Sequence, residues 1–150
     1  MGVVTGSHRY LCQESREAGF HSFFREQAPR FRIAETMVCL DDPEVAYDAV
    51  QEFISTHPDC VGIYAAGGGE AGTFRALKEH RAPRHIVCVC HEVSNTRDAL
   101  ISGVVDIAID QSPEILAERC LSALVASREA GAPRIRSEAV PFAVCTSENL

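Results

Sequence analysis

Long apolar segments are missing from this sequence. No run of apolar residues approaches the length of about 18 residues that a membrane-spanning helix needs. The first residues, Met-Gly-Val-Val-Thr, have neither the basic start nor the apolar stretch of a signal peptide. These two absences predict a soluble, cytoplasmic protein with no membrane partner. They leave open the possibility that a truncated chain has lost an export signal.

Cysteine pairs with the spacing of a metal or redox motif are also lacking. The chain has seven cysteines, an odd number, and no C-x-x-C sequence. Cys88 and Cys90 are two residues apart on a predicted strand, so they share one face of it. We interpret the cysteines as reduced, small apolar side chains, and we expect neither a metal nor a cofactor.

Lys and Arg are absent from the segment 41–72, and the chain as a whole carries a net charge of −7. The acids of this segment are Asp41, Asp42, Glu44, Asp48, Glu52, Asp59 and Glu70. Such a surface repels the phosphates of nucleic acid. We therefore expect any DNA contact to be made by a module outside this chain.

The sequence does contain a regular alternation of apolar strands and amphipathic helices, within a length that suits one domain. Strands are predicted at 3–5, 33–40, 61–66, 86–90, 104–110 and 140–145. Helices are predicted at about 9–28, 43–57 and from 71 onward, with two more after Ser94 and Ser112. The inward-facing helix residues are expected to include Phe20, Phe23, Phe24, Ala71, Phe74 and Leu77. This order predicts an α/β fold with a mostly parallel sheet and helices on both faces, a three-layer αβα unit.

A glycine motif follows the third predicted strand. Gly67, Gly69 and Gly72 form G-x-G-x-x-G, and Glu92 lies 20 residues beyond the last of them. This pattern is typical of dinucleotide-binding enzymes, which we keep as one alternative. The position counts against it, because that fingerprint normally occupies the first turn between strand and helix.

Polar residues follow all five of the first predicted strands, where the carboxyl ends of parallel strands meet at one edge. Helix capping explains Asp42 and Ser112, but it does not explain Arg16, Glu92 or Gln111. Arginine donates and carboxylates accept in fixed directions, so this edge suits a polyhydroxylated ligand. A thiol site from His8, Cys12 and His91, or a metal site from His8, His91 and Glu92, has no supporting spacing, and we expect no enzyme activity.

Several segments resemble the second subdomain of LacI-type transcription regulators and periplasmic sugar-binding proteins. They are SREAGF at 15–20, GIYAAGGGEAG at 62–72, HEVS at 91–94, VDIAIDQSP at 105–113 and ENL at 148–150. The resemblance implies that 1–150 is the C-terminal part of an effector-binding domain. It would comprise the second subdomain and a return segment at about 112–150, without the DNA-binding domain.

The resemblance also implies roles for single residues. Arg16 would bind ligand hydroxyls or a carboxylate, Glu92 would be the acid after the fourth strand, and Gln111 the amide beside the hinge. Two positions depart from the family: Asp41 stands where a stacking aromatic is frequent, and Gly67 where an asparagine is common. The full set of predicted ligand-binding residues is Ser7, Arg16, Asp41, Gly67, Gly68, His91, Glu92 and Gln111.

The resemblance favours a function as the effector-binding and dimerisation portion of a LacI-type regulator. Such a portion would sense a small, sugar-like effector and control DNA binding allosterically in a homodimer. The alternative from another class is a fragment of an exported sugar-binding transport protein, and the dinucleotide-binding enzyme comes third. The helix after Ser112 would have lost its packing partner, so we expect exposed apolar surface on it.

Overall fold

Six strands alternate with five helices in the computed structural model, which describes residues 1–80, 84–91, 96–129 and 139–150. The strands are β1 (Gly2–Thr5), β2 (Met37–Val38), β3 (Gly62–Gly67), β4 (Val87–His91), β5 (Ile107–Asp110) and β6 (Ala143–Cys145). The helices are α1 (Leu11–Gln27), α2 (Pro43–Thr56), α3 (Glu70–Glu79), α4 (Arg97–Ile101) and α5 (Pro113–Glu129). Ser94 and Glu92, which carried predictions, lie outside the described residues.

The strands form one sheet in the order β2-β1-β3-β4-β5-β6, in which only β6 runs antiparallel to its neighbour. The predicted α/β class with a mostly parallel sheet is therefore confirmed. The chain moves outward from β1 to β2 and then returns to the other side of β1 to form β3. Sheets of this kind bind small molecules beside such a reversal, at the carboxyl ends of the strands.

Apolar side chains cover both faces of the sheet. On one face, Val4 and Ile63 pack with Val50 and Phe53 of α2, and a neighbouring cluster joins Cys90 to residues from α4 and β5. On the other face, the cluster of Val3, Tyr64 and Ala66 is packed by Phe20 of α1. Helices therefore flank the sheet on both sides, as the three-layer prediction requires.

Two residues predicted to face inward, Phe23 and Ala71, are exposed, whereas Phe74 and Leu77 pack against the core as predicted. Phe23 is 57% exposed, because α1 contacts the sheet through Phe20, whose ring stacks on Tyr64 with centroids 4.8 Å apart. On α3, Ala71 is exposed, and Gly72, Thr73 and Ala76 form the buried face. A Cβ at position 72 would lie 1.8 Å from the Pro43 carbonyl oxygen, so glycine lets α3 approach α2 closely.

The second strand is much shorter than the predicted segment 33–40, since only Met37 and Val38 pair with β1. The strand stops there because Leu40 and Asp41 adopt left-handed backbone conformations, with φ of 55° and 60°. The resulting turn points the chain toward α2. It also brings Asp41 back over the sheet edge.

Helix α5 exposes apolar side chains, as predicted from the loss of a packing partner. Leu121 is 64% and Leu124 is 62% exposed, and Phe142 beside β6 is 68% exposed. In the part of the chain that the structure describes, no helix combines the length and apolar character needed to cross a bilayer.

All seven cysteines are unpaired. Four are buried and fit the prediction of small apolar side chains: Cys39, Cys60, Cys88 and Cys90. Burial raises the pKa of the Cys90 thiol to about 12, which keeps it protonated and unreactive. Cys12 and Cys120 are exposed, so the interior role does not extend to them.

Candidate ligand-binding site at the carboxyl edge of the sheet

The loops after β1 and β3 meet at the reversal of strand order. The Gly6 amide donates a hydrogen bond to the Gly67 carbonyl oxygen at 2.5 Å, which continues the pairing one residue past the end of β1. The register of this pair shifts between Val4 and Thr5. The shift lies at the edge where the predicted site residues are found.

Gln13 holds this part of the edge together, and sequence reasoning missed it. Its side chain is buried, and Oε1 accepts hydrogen bonds from the Thr5 hydroxyl at 3.0 Å and from the Ser7 amide at 2.9 Å. A Cβ on Gly67 would lie 2.9 Å from Gln13 Nε2, so this glycine is packed by the glutamine. Ser7 and Gly67, both predicted site residues, are thus positioned by one amide. The only sequence signal was a polar residue on the first turn of a helix.

Arg16 and Gln111 are 95 residues apart in sequence and are brought together at this edge. Arg16 donates from Nη1 to the Ala66 carbonyl oxygen and from Nη2 to Gln111 Oε1, both at 2.7 Å. Arg16 is half-buried on α1, while Gln111 is exposed directly after β5. Two of the three residues without a capping explanation therefore form one hydrogen-bonded pair, and the third, Glu92, lies outside the described residues.

His91 is buried beneath the edge and is not one of its exposed residues. It is only 8% exposed, and its Nε2 is 2.7 Å from the Tyr64 hydroxyl. Burial and, to a smaller extent, the nearby positive charge of Arg16 together lower the pKa of His91 to about 4. Burial also raises the pKa of Tyr64. His91 is therefore a neutral, packed residue at neutral pH, and its Nδ1 has no hydrogen-bond partner among the described residues.

Asp41 lies between the loops after β1 and β3. Its Oδ1 would be 1.9 Å from a Cβ at position 6 and 2.1 Å from one at position 68. Gly68, another predicted site residue, therefore leaves room for the carboxylate. The structure thus places the site residues in three groups. Arg16 pairs with Gln111, Gln13 fixes Ser7 and Gly67, and Asp41 lies in the space left by Gly6 and Gly68, which we call the glycine cradle.

The glycine motif does not present an open phosphate cradle. Gly67 packs against Gln13, Gly68 against Asp41, and Gly69 against Cys39, whose Sγ is 2.6 Å from the position of an added Cβ. The Gly68 amide, which a phosphate would need, donates to Glu70 Oε1 at 2.9 Å. The glycines serve close packing within the chain, which counts against the dinucleotide alternative.

The described residues contain no candidate metal site. Within the described ranges, no group of three or more His, Cys, Asp or Glu side chains is placed to hold a metal ion. What the edge offers is directional hydrogen bonding, from a guanidinium, an amide and a carboxylate. The fold and this edge define an α/β unit whose polar side chains gather at the carboxyl ends of its strands.

The chain belongs to the periplasmic binding protein domain family, whose sequence model matches residues 1–131. A search of curated proteins gives no match. The expected resemblance is thus shown at the level of the domain that LacI-type regulators share with sugar-binding proteins, and not at the level of the regulators alone.

Solved structures share the fold at low sequence identity. An ABC transporter solute-binding protein from Agrobacterium vitis, bound with α-D-tagatopyranose, is 21% identical with a TM-score of 0.87, and the alignment covers 99% of this chain and 50% of that one. The glucose-galactose binding protein GanP from Geobacillus stearothermophilus is 18% identical, with a TM-score of 0.86 and coverage of 99% and 53%. The arabinose-binding protein AraP from the same organism is 20% identical, with a TM-score of 0.82 and coverage of 99% and 54%. The chain spans about half the length of these proteins.

Proposed function

We propose that this chain is one lobe of a sugar-binding protein and that the ligand lies against the carboxyl edge of its sheet. The observation that carries the proposal is the Arg16–Gln111 pair beside the β1–β3 reversal. Arginine has five N–H donors, and the bonds to Ala66 and Gln111 leave further donors for ligand hydroxyls. The Gln111 amide nitrogen and the Asp41 carboxylate add a donor and an acceptor.

Between the two functions suggested by the sequence, we place the transport protein ahead of the LacI-type regulator. The similar structures named above are described as transport or sugar-binding proteins, and none of those three is described as a regulator. The homodimer, the DNA contact through a separate helix-turn-helix and the cytoplasmic location belong to the regulator hypothesis. They remain predictions.

A second lobe completes the proposal. The proteins with the same fold are about twice as long as the chain, and α5 exposes Leu116, Leu121, Leu124 and Val125. Apolar side chains gain free energy when another surface covers them. We therefore place α5 against a partner lobe of the same protein, with the sugar held between the two lobes.

The proposal is tested by titrating the chain with D-tagatose, L-arabinose, D-glucose and D-galactose while following backbone amides by NMR, which detects the weak binding expected of a single lobe. At least one sugar should shift the amides of Ala66, Gly67 and Gln111. Arg16→Ala should abolish these shifts. Arg25→Ala is the matched control on α1, because Arg25 bonds only Ser22 and Glu26 in the described chain.

Two results would contradict the proposal. One is the absence of any shift at the edge with all four sugars. The other is sugar binding that survives Arg16→Ala in a variant whose circular dichroism spectrum remains that of the parent.

A further inference from the structure

Arg16 lies above a buried layer of side chains at the end of β3. Arg16 and Phe20 are one helical turn apart on α1, so they occupy the same face of that helix. The Phe20 ring stacks on Tyr64 with centroids 4.8 Å apart, and Arg16 donates to the Ala66 carbonyl oxygen at 2.7 Å. The helix therefore holds Phe20 over the middle of β3 and Arg16 over its end.

His91 lies on the same face of the sheet as Tyr64. Tyr64 pairs in register with Val89 of β4, which places His91, two residues further along, beside Ala66. The Nε2 atom of His91 is 2.7 Å from the Tyr64 hydroxyl. Burial is the main cause of the shifted pKa of each side chain, raised for Tyr64 and lowered for His91, and the charge of Arg16 acts on both. The guanidinium is therefore a close neighbour of this buried pair.

The folded chain does not accommodate a second proton on His91. A protonated imidazole donates from both nitrogens, but Nε2 alone has a partner among the described residues, and the buried Nδ1 has none. The groups around it that titrate or carry charge are Arg16 from α1, Tyr64 from β3, and Asp110, one residue beyond the β5 position that pairs with His91. The Asp110 carboxylate is bonded within its own loop, and Glu92 lies outside the described residues.

Arg16 is the member of this group that can move. It is only half-buried and its partner Gln111 is exposed, so the guanidinium can turn toward solvent. Tyr64 and His91 are each 8% exposed and are held by the packing around them. Repulsion between two cations is much weaker once one of them is in water. A proton on His91 would therefore break the bonds from Arg16 to Ala66 and Gln111.

We infer that His91 is a positioning residue of the sugar site, which binds its ligand while the imidazole is neutral and releases it when the imidazole gains a proton. This inference rests on the proposed sugar-binding function and adds a condition under which it operates. His91 acts through Arg16 and does not itself touch the ligand. Because the pKa of His91 is about 4, sugar affinity should fall about twofold at about pH 4 and about fourfold at about pH 3.5, relative to neutral pH.

The link between His91 and Arg16 is tested first without sugar, by NMR from about pH 7 to about pH 3.5. The imidazole C–H signals of His91 report its proton, and the amide signals of Ala66 and Gln111 report the position of Arg16. Both sets should change with the same midpoint. Arg16→Met removes the charge and should raise the midpoint of His91, whereas Arg16→Lys keeps the charge and should leave it near that of the parent. Arg25→Ala is the matched control on α1.

Sugar affinity is then measured across the same pH range, with whichever sugar binds at neutral pH. The parent should lose affinity in acid as stated above, and His91→Gln should lose less. Other acids of the edge also titrate in this range. Because His91→Gln retains all of them, the difference between the two proteins isolates the contribution of His91.

The outcomes separate this inference from the proposed function. Amide signals of Ala66 and Gln111 that do not follow the titration of His91 overturn the inference. Unfolding of the chain before His91 gains its proton, seen by circular dichroism, also overturns it, because the proton would then act on stability alone. An affinity that falls equally in the parent and in His91→Gln overturns the link to ligand release. If no sugar binds at neutral pH, the proposed function fails, whereas the titration without sugar still decides whether His91 positions Arg16.

Discussion

Replacing His91 with glutamine should remove part of the protein's sensitivity to acid. His91 is 8% exposed in the folded chain, and its pKa is lowered to about 4. A histidine in an unfolded chain has a pKa of about 6.5. Below that pH the unfolded chain therefore binds a proton that the folded chain does not, and stability falls as the pH falls toward about 4.

The size of this effect follows from the difference between the two pKa values. About 2.5 pKa units, at about 1.4 kcal/mol for each unit, correspond to roughly 3 kcal/mol of unfolding free energy. The stabilisation by neutral His91 is fully present above about pH 6.5, and most of it is lost by about pH 4.5. His91→Gln cannot titrate, so its stability relative to the parent should improve by roughly 2–3 kcal/mol across this window.

Urea unfolding followed by far-ultraviolet circular dichroism, repeated at several pH values, measures this difference. Tyr64→Phe is the informative control, because it removes the hydroxyl that bonds Nε2 but leaves His91 buried and able to titrate. That variant should keep the pH dependence of the parent. A free-energy difference between the parent and His91→Gln that stays constant from about pH 7 to about pH 4.5 would refute the reasoning.

Two further substitutions test how the edge is built, again by urea unfolding. Gln13→Ala should destabilise the chain by about 1–3 kcal/mol, because the Thr5 hydroxyl and the Ser7 amide lose their shared acceptor. An unchanged urea midpoint would contradict the role of Gln13 in holding the edge together. Gly68→Ala should cost about 1–3 kcal/mol, since φ is 78° there and the new Cβ would meet Asp41. Gly19→Ala on α1 is the control: its new Cβ would meet nothing within 4 Å, so it should stabilise the chain by up to about 1 kcal/mol. Equal effects of the two substitutions would contradict the close packing of Gly68 against Asp41.

Features encoded by neighbouring residues were predictable from the sequence. The start of α2 is an example, because Asp42 accepts from the Glu44 amide at 2.8 Å and Pro43 occupies the first helical position, as the local pattern indicated. The alternation of strands and helices likewise gave the fold class. Both depend on side chains and backbone groups only a few residues apart.

Features that depend on distant packing were not predictable in the same way. The helical spacing of Phe23 is compatible with burial, yet the relative position of α1 and the sheet leaves it outside. The same spacing could not show that Gly72 serves the contact between α2 and α3, or that His91 pairs with Tyr64. The polar residues after successive strands do gather at one edge of the sheet, as predicted, but which of them face a ligand depends on loop geometry.

The Arg16–Gln111 hydrogen bond has a consequence for how the protein is made. It closes a loop of 95 residues, whereas the Gln13 contacts with Thr5 and Ser7 close loops of 8 and 6. Loop closure over long separations carries an entropy cost that must be met before the contact contributes. During synthesis the loop after β1 can be braced as soon as α1 has formed, but Arg16 has no glutamine partner until β5 has left the ribosome and joined the sheet. The hydrogen bonds of this edge are therefore completed only after five of the six strands have been synthesised.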